Sequence, residues 1–449
     1  WRCGITSTSV MAAFSILLLT LFIFFSVCHS SPTAFSASFP LVSHPRSPPS
    51  SSIAHQRMLT ATQTASFKKN VYAAKYSMAL IVSLPVGTPA QEQKMVLDTG
   101  SQLSWIHCND QVKTTQANGG DGSSSPRSSF NPTVSSSFFP LRCNTAICKP
   151  RVPDFTIPTA CDQKQLCAYS YFYADGTLAE GNLVAEKLVI SSSPIVLGCS
   201  KGSSEDNGIL GMNMGRLSAI SQSKITKFSY CVPPRASRSA PSGTGAFVLG
   251  QNPNAIGLKY VPIMNFPSSQ SQRMPNLDPL AYTVPMRGIR VGSVTLNISV
   301  SAFRPNAGGS GQTFVDSGSE LTYLVDEAYD KLRDAVVKAV GPLMKKDFSF
   351  AGVADMCFDE KVSPVAGKSI GGIGLLFDNG VEIAIEHDSV LSDVGQGVWC
   401  IAIGRSSMLG SAANIIGNVH QQNLWVEYDL IGRRIGFGRA DCSKSYSKR

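Results

Sequence analysis

At 449 residues the chain is longer than one ordinary domain, and this length predicts two lobes. Its 43% hydrophobic and 15% charged residues, with 38 glycines and 26 prolines, favour a turn-rich, mainly β globular protein over a helical one. The net charge of +9 is misleading: six of the 39 basic residues and no acidic residue precede Glu92, and the remaining 33 basic against 30 acidic residues, without a Lys/Arg run, exclude a nucleic-acid-binding protein.

The amino end has the pattern of a secretory targeting segment. An apolar run over residues 12–27 is short for a membrane span, and small and polar residues follow up to Ser30, where we expect cleavage. We interpret residues 1–30 as a signal peptide region, of which 1–10 can be non-native upstream sequence; a signal anchor is the alternative. The pattern predicts a protein of the secretory pathway (endoplasmic reticulum, then cell exterior or vacuole) without membrane attachment once the signal is removed.

Ten of the twelve cysteines follow the signal region, an even number that predicts five disulfides in an exported chain. The spacings Cys143/Cys148 and Cys161/Cys167 are short enough to staple single loops. A zinc site is disfavoured because there is no Cys-x-x-Cys pair and the six histidines are scattered, so neither a metal nor another cofactor is expected. Asn297 begins the one acceptable N-glycosylation signal, Asn-Ile-Ser.

Changes in amino-acid composition and hydrophobic periodicity along the chain predict its division into segments. The segment before Tyr76 lacks acidic residues and hydrophobic periodicity, which indicates a largely disordered leader or propeptide. Runs typical of β-strands begin there, and a flexible stretch at 233–245 is the best candidate for a boundary between lobes. The predicted divisions are a leader (31–75), an N-terminal lobe (76–245), a C-terminal lobe (246–442) and a tail (443–449).

One helix is predicted in the second half, within LVDEAYDKLRDAVVKAVGP. Its apolar residues recur every three or four positions, and Gly341-Pro342 is expected to end it. These apolar residues are Val325, Ala328, Tyr329, Leu332, Val336, Ala339 and Val340.

One acidic motif occurs twice in the chain. MVLDTGSQLSW (95–105) and TFVDSGSELTY (313–323) each place an aspartate, Asp98 or Asp316, behind an apolar run and before Thr/Ser-Gly-Ser. Each motif is followed, roughly a hundred residues later, by an apolar pair and a glycine, in GILGM and NIIGN. A two-part pattern that recurs in the same order predicts a duplicated lobe.

Paired acidic loops of this kind have a definite chemistry. Glycine permits close backbone approach, and the Ser/Thr hydroxyl can bond across to the partner loop. If an approximate two-fold axis relates the lobes, the two carboxyl groups meet, and they then hold one shared proton because two like charges that close cannot both stay ionised. Such a pair can activate a water molecule as general base while protonating a carbonyl oxygen as general acid.

With these motifs the sequence resembles the pepsin-type aspartic proteases, in particular their plant, nepenthesin-like branch, over residues 76–442. The stretches that carry the resemblance are LDTGSQLSWI, YSYFYADGT, GRSSMLG and NIIGNVHQQNLWVE. The resemblance implies a mainly β, bilobal fold with the active site in the cleft between two related lobes. It also implies a monomeric aspartic endopeptidase that cleaves peptide or protein substrates at acidic pH and is made as a zymogen.

By this resemblance Asp98 and Asp316 are the catalytic dyad. The resemblance also implies roles for six neighbours: Thr99 and Ser317 would lock the two loops together, Ser101 and Ser319 would hydrogen-bond the outer carboxylate oxygens, and Gly100 and Gly318 would allow the close approach. It further implies the disulfides Cys143–Cys148, Cys357–Cys400 and Cys231–Cys442.

The family also has a hairpin flap over the cleft, which YSYFYADGTLAEGNL resembles. Tyr173 is the expected flap tyrosine, and the indole of Trp105, seven residues after Asp98, would bond it. Tyr169 and Tyr171 alternate with Tyr173 on one strand face and are the alternatives. The stretch could also be a plain hairpin with Trp105 in the core; His107 is expected at the surface.

A second class of function fits the same fold. Some plant relatives keep the bilobal cleft as inhibitors or binding proteins but lack the catalytic residues, so a weakly active or inactive binding protein is the alternative. The intact dyad favours the protease.

Overall fold

The computed structural model describes residues 36–45, 71–72, 78–109, 129–149, 159–173, 176–203, 207–235 and 243–446. The predicted signal region and most of the predicted leader lie outside these ranges. The described residues belong to one compact unit, Phe35–Arg449.

This part of the chain is mainly β. Its strands are β1 (Ser36–Pro45), β2 (Val71–Tyr72), β3 (Met78–Val86), β4 (Gln91–Asp98), β5 (Trp105–His107), β6 (Phe139–Pro140), β7 (Thr159–Cys161), β8 (Cys167–Phe172), β9 (Leu178–Glu186), β10 (Ile195–Ser203), β11 (Gly208–Gly211), β12 (Lys227–Cys231), β13 (Gly245–Gly250), β14 (Lys259–Pro262), β15 (Met286–Val291), β16 (Val294–Thr295), β17 (Thr313–Val315), β18 (Thr322–Leu324), β19 (Ser349–Phe350), β20 (Cys357–Asp359), β21 (Ile373–Phe377), β22 (Glu382–Ile385), β23 (Ser392–Gly395), β24 (Val398–Cys400), β25 (Ile403–Arg405), β26 (Asn414–Ile416), β27 (Leu424–Asp429) and β28 (Arg434–Arg439). Its α-helices are α1 (Ala219–Ser223), α2 (Ser268–Ser271), α3 (Asp326–Val340) and α4 (Ser363–Ile370). Short 3-10 helices lie at Pro132–Val134, Ala146–Cys148, Val300–Phe303, Gly341–Leu343, Asp378–Gly380, Ser406–Leu409, Asn418–Gln421 and Cys442–Lys444.

Four strands surround each acidic motif in the same order, β4-β11-β5-β10 in the first half and β17-β26-β18-β25 in the second. In both halves the strand that leads to the aspartate pairs in parallel with the downstream apolar-glycine element, with Asp98 opposite Gly211 and Val315 opposite Ile416. The other pairings agree too, antiparallel for β11–β5 and β26–β18 and parallel for β5–β10 and β18–β25. The predicted duplication is therefore confirmed.

The largest sheet joins strands from both halves of the chain in the order β14-β28-β27-β12-β13-β1-β3-β4-β11-β5-β10-β9-β8-β7, with β6 paired to β9. β12 pairs antiparallel with β27, from Lys227 opposite Asp429 to Cys231 opposite Trp425. One hydrophobic cluster accordingly contains core residues of both halves. The predicted lobe boundary falls at the start of β13 and stays a prediction.

The expectation of a disordered leader is wrong for β1. This strand lies between β13 and β3, with Ser36 opposite Gly250 and Leu41 opposite Val82, and Leu41 is fully buried. The ring centroids of Phe39 and Phe247 lie 6.2 Å apart. The partners come from distant parts of the chain, so the local composition of the segment did not reveal them. β2 in turn pairs in parallel with β19.

The predicted helix is confirmed as α3. Its buried residues are Ala328, Tyr329, Leu332, Val336 and Val340, as the spacing predicts, whereas Ala339 on the same face is exposed. Asp326 and Glu327 occupy its first turn, where the helix dipole favours negative charge. Among the described residues, no helix has the length and apolar content needed to cross a membrane.

All ten cysteines that follow the signal region form disulfides, as predicted. The pairs are Cys108–Cys199, Cys143–Cys161, Cys148–Cys167, Cys231–Cys442 and Cys357–Cys400. The last two confirm the expectation, and Cys143–Cys148 is wrong.

The hairpin β7–β8 explains this correction. It sets Cys161 directly opposite Cys167, and the segment 143–148 lies across it. Each cysteine of that segment therefore reaches one strand of the hairpin, with Cα–Cα distances of 5.5 Å for both Cys143–Cys161 and Cys148–Cys167.

Candidate active site

The two motif loops are tied together by reciprocal hydrogen bonds between Thr99 and Ser317. The backbone N–H of Thr99 donates to Ser317 Oγ (3.1 Å), and the backbone N–H of Ser317 donates to Thr99 Oγ1 (2.9 Å). Each hydroxyl also donates to the opposite strand, Ser317 to Leu97 O (2.7 Å) and Thr99 to Val315 O (3.4 Å). Both side chains are fully buried, so this arrangement holds the ends of β4 and β17 at a fixed distance. It is the interlock predicted from the sequence.

Each carboxyl group lies against the glycine of the opposite loop. A methyl group added at Gly100 would lie 2.8 Å from Asp316 Oδ1, and one added at Gly318 would come closer still to Asp98 Oδ1. Within its own loop each carboxylate accepts a backbone N–H, from Gly100 to Asp98 (2.8 Å) and from Gly318 to Asp316 (2.9 Å). Both aspartates are 7% exposed. The two glycines therefore make room for the carboxyl groups, which lie at the contact between the two motif loops.

The two serines of the motifs differ. Ser319 Oγ donates to Asp316 Oδ2 (2.6 Å), as predicted, whereas Ser101 Oγ is buried without a hydrogen-bond partner in the described part of the chain. The backbones of both are held alike, since Asn213 N–H donates to Ser101 O (3.0 Å) and Asn418 N–H to Ser319 O (2.8 Å). The prediction for Ser101 is thus wrong, because its hydroxyl makes no hydrogen bond to the carboxylate in the described part of the chain, although its backbone keeps the motif geometry.

Behind the second loop stands Gln421, which sequence reasoning missed. Its Nε2 donates to Asp316 O (3.1 Å) and Ile416 O (2.8 Å), and its Oε1 accepts a hydrogen bond from Tyr230 (2.6 Å). The hydroxyls of Tyr230 and Tyr428 are 3.3 Å apart. Burial, with a smaller contribution from the charge of Asp316, raises the pKa of both tyrosines well above its usual value, so they are neutral polar groups. The signal that the sequence did offer was the position of this glutamine three residues after NIIGN.

The flap residue expected from the sequence makes its predicted contact. Trp105 Nε1 donates to Tyr173 Oη (2.7 Å), and the rings of Tyr171 and Tyr173 meet edge to face at 4.7 Å. Burial raises the pKa of Tyr173, and Tyr171 and Asp98 raise it further, so the tyrosine is a neutral polar group. Of the two alternatives, Tyr169 is buried against Gly198, and Tyr171 packs on the ring of Tyr173.

Two further predicted positions can be located. His107 is buried, with its ring edge-on to Trp105 at 5.3 Å, so the expectation of a surface histidine is wrong. The reason is that β5 is an interior strand between β11 and β10. Asn297 is exposed between β16 and the 3-10 helix Val300–Phe303, a position open to a glycan; its modification stays a prediction.

Comparison with known proteins identifies the family. Residues 80–251 match the family model described as "Xylanase inhibitor N-terminal", and residues 281–439 match "Xylanase inhibitor C-terminal". The chain is 36% identical to the aspartic proteinase PCS1 of Arabidopsis thaliana over 403 residues, which cover 82% of this chain and 83% of that protein. It is 33% identical to the aspartic proteinase nepenthesin-1 of Nepenthes gracilis over 374 residues, 81% of this chain and 78% of that one.

Solved structures agree on the fold. Conglutin gamma, a basic 7S globulin from lupine seeds, superposes with a TM-score of 0.58 at 14% identity, covering 90% of this chain and 95% of its own. Basic 7S globulin from soybean gives 0.56 at 16% identity, covering 91% and 100%. At such identities the likeness concerns the fold alone, whereas the two proteinases are close enough to settle the family: this chain belongs to the nepenthesin-like plant branch of the pepsin-type aspartic proteases.

Proposed function

We propose that this protein is an aspartic endopeptidase that hydrolyses internal peptide bonds with a water molecule held between Asp98 and Asp316. The observation that supports this most directly is the reciprocal contact of each carboxyl group with the glycine of the opposite loop. Such a contact brings both acids to one seam, and no other use of two buried carboxyl groups accounts for it as simply.

The reaction follows from one proton shared by the pair. The ionised carboxylate takes a proton from the water while the protonated carboxyl group donates to the carbonyl oxygen of the substrate, giving general base and general acid in one site. We expect an acidic optimum because the pair must keep its shared proton. This mechanism requires no metal ion or cofactor.

The substrate is a peptide or protein segment in extended conformation. Hairpin β8–β9 carries Tyr173 at the end of its first strand, and an extended peptide could add its main-chain hydrogen bonds to this hairpin. The five disulfides suit an oxidising compartment such as the secretory pathway. The protein is a monomer that is made there as a zymogen, and it has no membrane attachment once the signal is removed.

A second candidate deserves a direct comparison because both matched family models are described as parts of a xylanase inhibitor. In that case the cleft would bind a protein without cleaving it. The two functions differ in turnover, which a single set of experiments measures.

The test is cleavage of a denatured protein substrate at acidic pH, with and without pepstatin. Asp98→Asn and Asp316→Asn should each reduce kcat by about 10²- to 10⁴-fold, the usual contribution of general acid–base groups. Asp388→Asn is the matched control, because this aspartate is exposed and, within the described residues, its ion-pair partner is the neighbouring His387. Pepstatin-sensitive cleavage lost in both dyad variants supports the protease. Tight binding of peptides without turnover by the unmodified protein would favour the inhibitor.

A further inference from the structure

The fourth residue after each motif aspartate carries a long polar side chain that holds its loop. In the first half this residue is Gln102, which is buried and whose Oε1 accepts the N–H of Leu217 (3.2 Å). In the second half it is Glu320, whose Oε1 lies 2.7 Å from Nη2 of Arg235. Both motif loops are therefore held at the same position, but the second is held by an ion pair.

The partner of Glu320 comes from a distant part of the chain. Arg235 follows β12, which ends at Cys231, and the disulfide between Cys231 and Cys442 fixes this end of the strand. The partner of Gln102, in contrast, belongs to the first half, as the first motif itself does. The ion pair therefore ties the second motif loop to a segment that lies before the second half begins.

The backbone of Arg235 is fixed against the residues that follow β26. Its N–H donates to Gln422 Oε1 (3.1 Å), and Val232 pairs with the same glutamine in a parallel β-bridge. The preceding residue, Gln421, donates from its Nε2 to Asp316 O (3.1 Å). The guanidinium group of Arg235 thus extends from a backbone that is anchored next to the residue that holds the aspartate.

On the loop side, the backbone around Glu320 is held as well. Val419 N–H donates to Glu320 O (3.1 Å), and Asn418 N–H donates to Ser319 O (2.8 Å). Ser319 in turn donates from its Oγ to Asp316 Oδ2 (2.6 Å). Glu320 directly follows the serine that contacts the carboxyl group, so a displacement of Glu320 reaches Asp316 through a single residue.

This ion pair is largely removed from water, with 16% of the Arg235 side chain and 11% of the Glu320 side chain exposed. The cost of taking two charges out of water offsets much of their attraction, so such a pair adds little net stability. It does fix the relative position of two segments, because either charge without the other is strongly unfavourable at a buried site. The burial therefore favours a role in positioning the loop.

We propose that Arg235 is a positioning residue of the active site, which holds the second motif loop, and with it Asp316, through the side chain of Glu320. Arg235 acts on the reaction through the loop and takes no part in proton transfer. The first motif loop does not depend on it, because Gln102 has its own partner. The effect on catalysis rests on the proposed function, whereas the effect on the loop does not.

Kinetics of peptide cleavage test the effect on catalysis. Arg235→Gln and Glu320→Gln should each lower kcat about tenfold while KM changes less than about twofold, because a displaced Asp316 impairs the chemical step. The double variant should be no slower than the poorer single variant, since both changes remove the same ion pair. Arg235→Lys, which keeps the charge, should recover most of kcat. Arg439→Gln is the matched control, because it removes an exposed ion pair with Glu386, and it should keep the kcat of the unmodified protein.

Amide hydrogen exchange tests the effect on the loop and requires no turnover. Exchange in the second motif, residues 313–323, should become about tenfold faster in Arg235→Gln and in Glu320→Gln, because the loop opens more often. The first motif, residues 95–105, should exchange in every variant as it does in the unmodified protein. Arg439→Gln should leave both motifs unchanged.

Kinetics and exchange together distinguish a positioning role from a purely structural one. A lower kcat that Arg235→Lys restores, with faster exchange confined to the second motif, supports the inference. If the unmodified protein cleaves peptides but Arg235→Gln keeps its kcat, or if exchange becomes faster in both motifs alike, the inference is overturned and the proposed function stands. If the unmodified protein cleaves no peptide, the proposed function falls; faster exchange confined to the second motif then still supports the hold on the loop, and unchanged exchange overturns it.

Discussion

The two motif loops have nearly the same backbone environment but different side-chain support. Asp98 ends β4 and Asp316 directly follows the equivalent strand β17, and both accept a glycine N–H. In both halves a hydroxyl six residues after the aspartate, Ser104 or Thr322, accepts a glycine N–H of the downstream element (3.1 Å). Yet only Asp316 accepts a hydrogen bond from its motif serine. Duplication of the frame therefore does not make the two carboxyl groups equivalent, and the difference arises from side chains around the motif.

The two loops share the close approach of each carboxyl group to the glycine of the opposite loop, and the strongest test of this feature is to add a methyl group at each glycine. Gly100→Ala and Gly318→Ala should each reduce kcat/KM by about 10³-fold, because the methyl group would displace the carboxyl group of the opposite loop. The loss should be larger for Gly318, where the contact is closer. Gly288→Ala is the control, since its methyl group would meet Leu376 and Thr295 at 3.9 Å. Equal activity of Gly318→Ala and the unmodified protein would show that the loops do not approach each other.

The second test concerns His420, which lies beside the Thr322 hydroxyl in the second half, whereas no histidine is described beside Ser104 in the first half. Nδ1 of His420 lies 2.7 Å from Thr322 Oγ1. Burial, with a smaller contribution from Arg235, lowers the pKa of His420 from 6.5 to about 3. The native state thus keeps this histidine neutral while the unfolded chain protonates near pH 6.5, so stability is lost as pH falls from 6.5 towards 3. The loss attributable to this group is roughly 4–5 kcal/mol in the free energy of unfolding.

Urea unfolding of the unmodified protein and of His420→Gln across that pH range measures the effect. Glutamine can still bond Thr322 but does not titrate, so the variant should lose less stability on acidification. His387→Gln, at a half-exposed histidine, should follow the unmodified protein. If the free energy of unfolding falls equally with pH in His420→Gln and in the unmodified protein, His420 does not cause the loss of stability in acid.

The features that could be predicted from sequence are those encoded locally or by repetition. Asp98, Asp316 and helix α3 follow from short patterns that need no knowledge of distant partners. The strand β1 did not follow, because its hydrogen bonds come from β3 and β13, and neither did the pairing of Cys143, which depends on the register of hairpin β7–β8. The two motif serines share their distance in sequence from the aspartate and their backbone hydrogen bond, so no sequence pattern reports that only the Ser319 hydroxyl bonds its carboxylate.

The unequal hydrogen bonding of Ser101 and Ser319 leads to a third test. Ser319→Ala removes a hydrogen bond to a carboxylate, which is typically worth about 2 kcal/mol, so kcat/KM should fall about 30-fold. Ser101→Ala removes a buried hydroxyl without a partner and should cause a clearly smaller loss, with thermal stability equal or slightly higher. Ser319→Thr, which can retain the hydroxyl, should recover part of the activity. Equal losses for the two alanine variants would mean that the two loops are functionally symmetric.

The smallest effect is expected at the flap, which bonds to the first half through Trp105. Trp105→Phe and Tyr173→Phe each remove one partner of the 2.7 Å hydrogen bond and should lower kcat/KM about fivefold, corresponding to roughly 1 kcal/mol. Because both changes remove the same bond, the double variant should be no worse than the poorer single variant. A double-mutant cycle measures this coupling. Additive losses would show that the indole and the phenol act independently and that Trp105 serves mainly as a core residue. Non-additive losses would tie the position of the flap to the strand that follows Asp98, a connection specific to the first of the two loops.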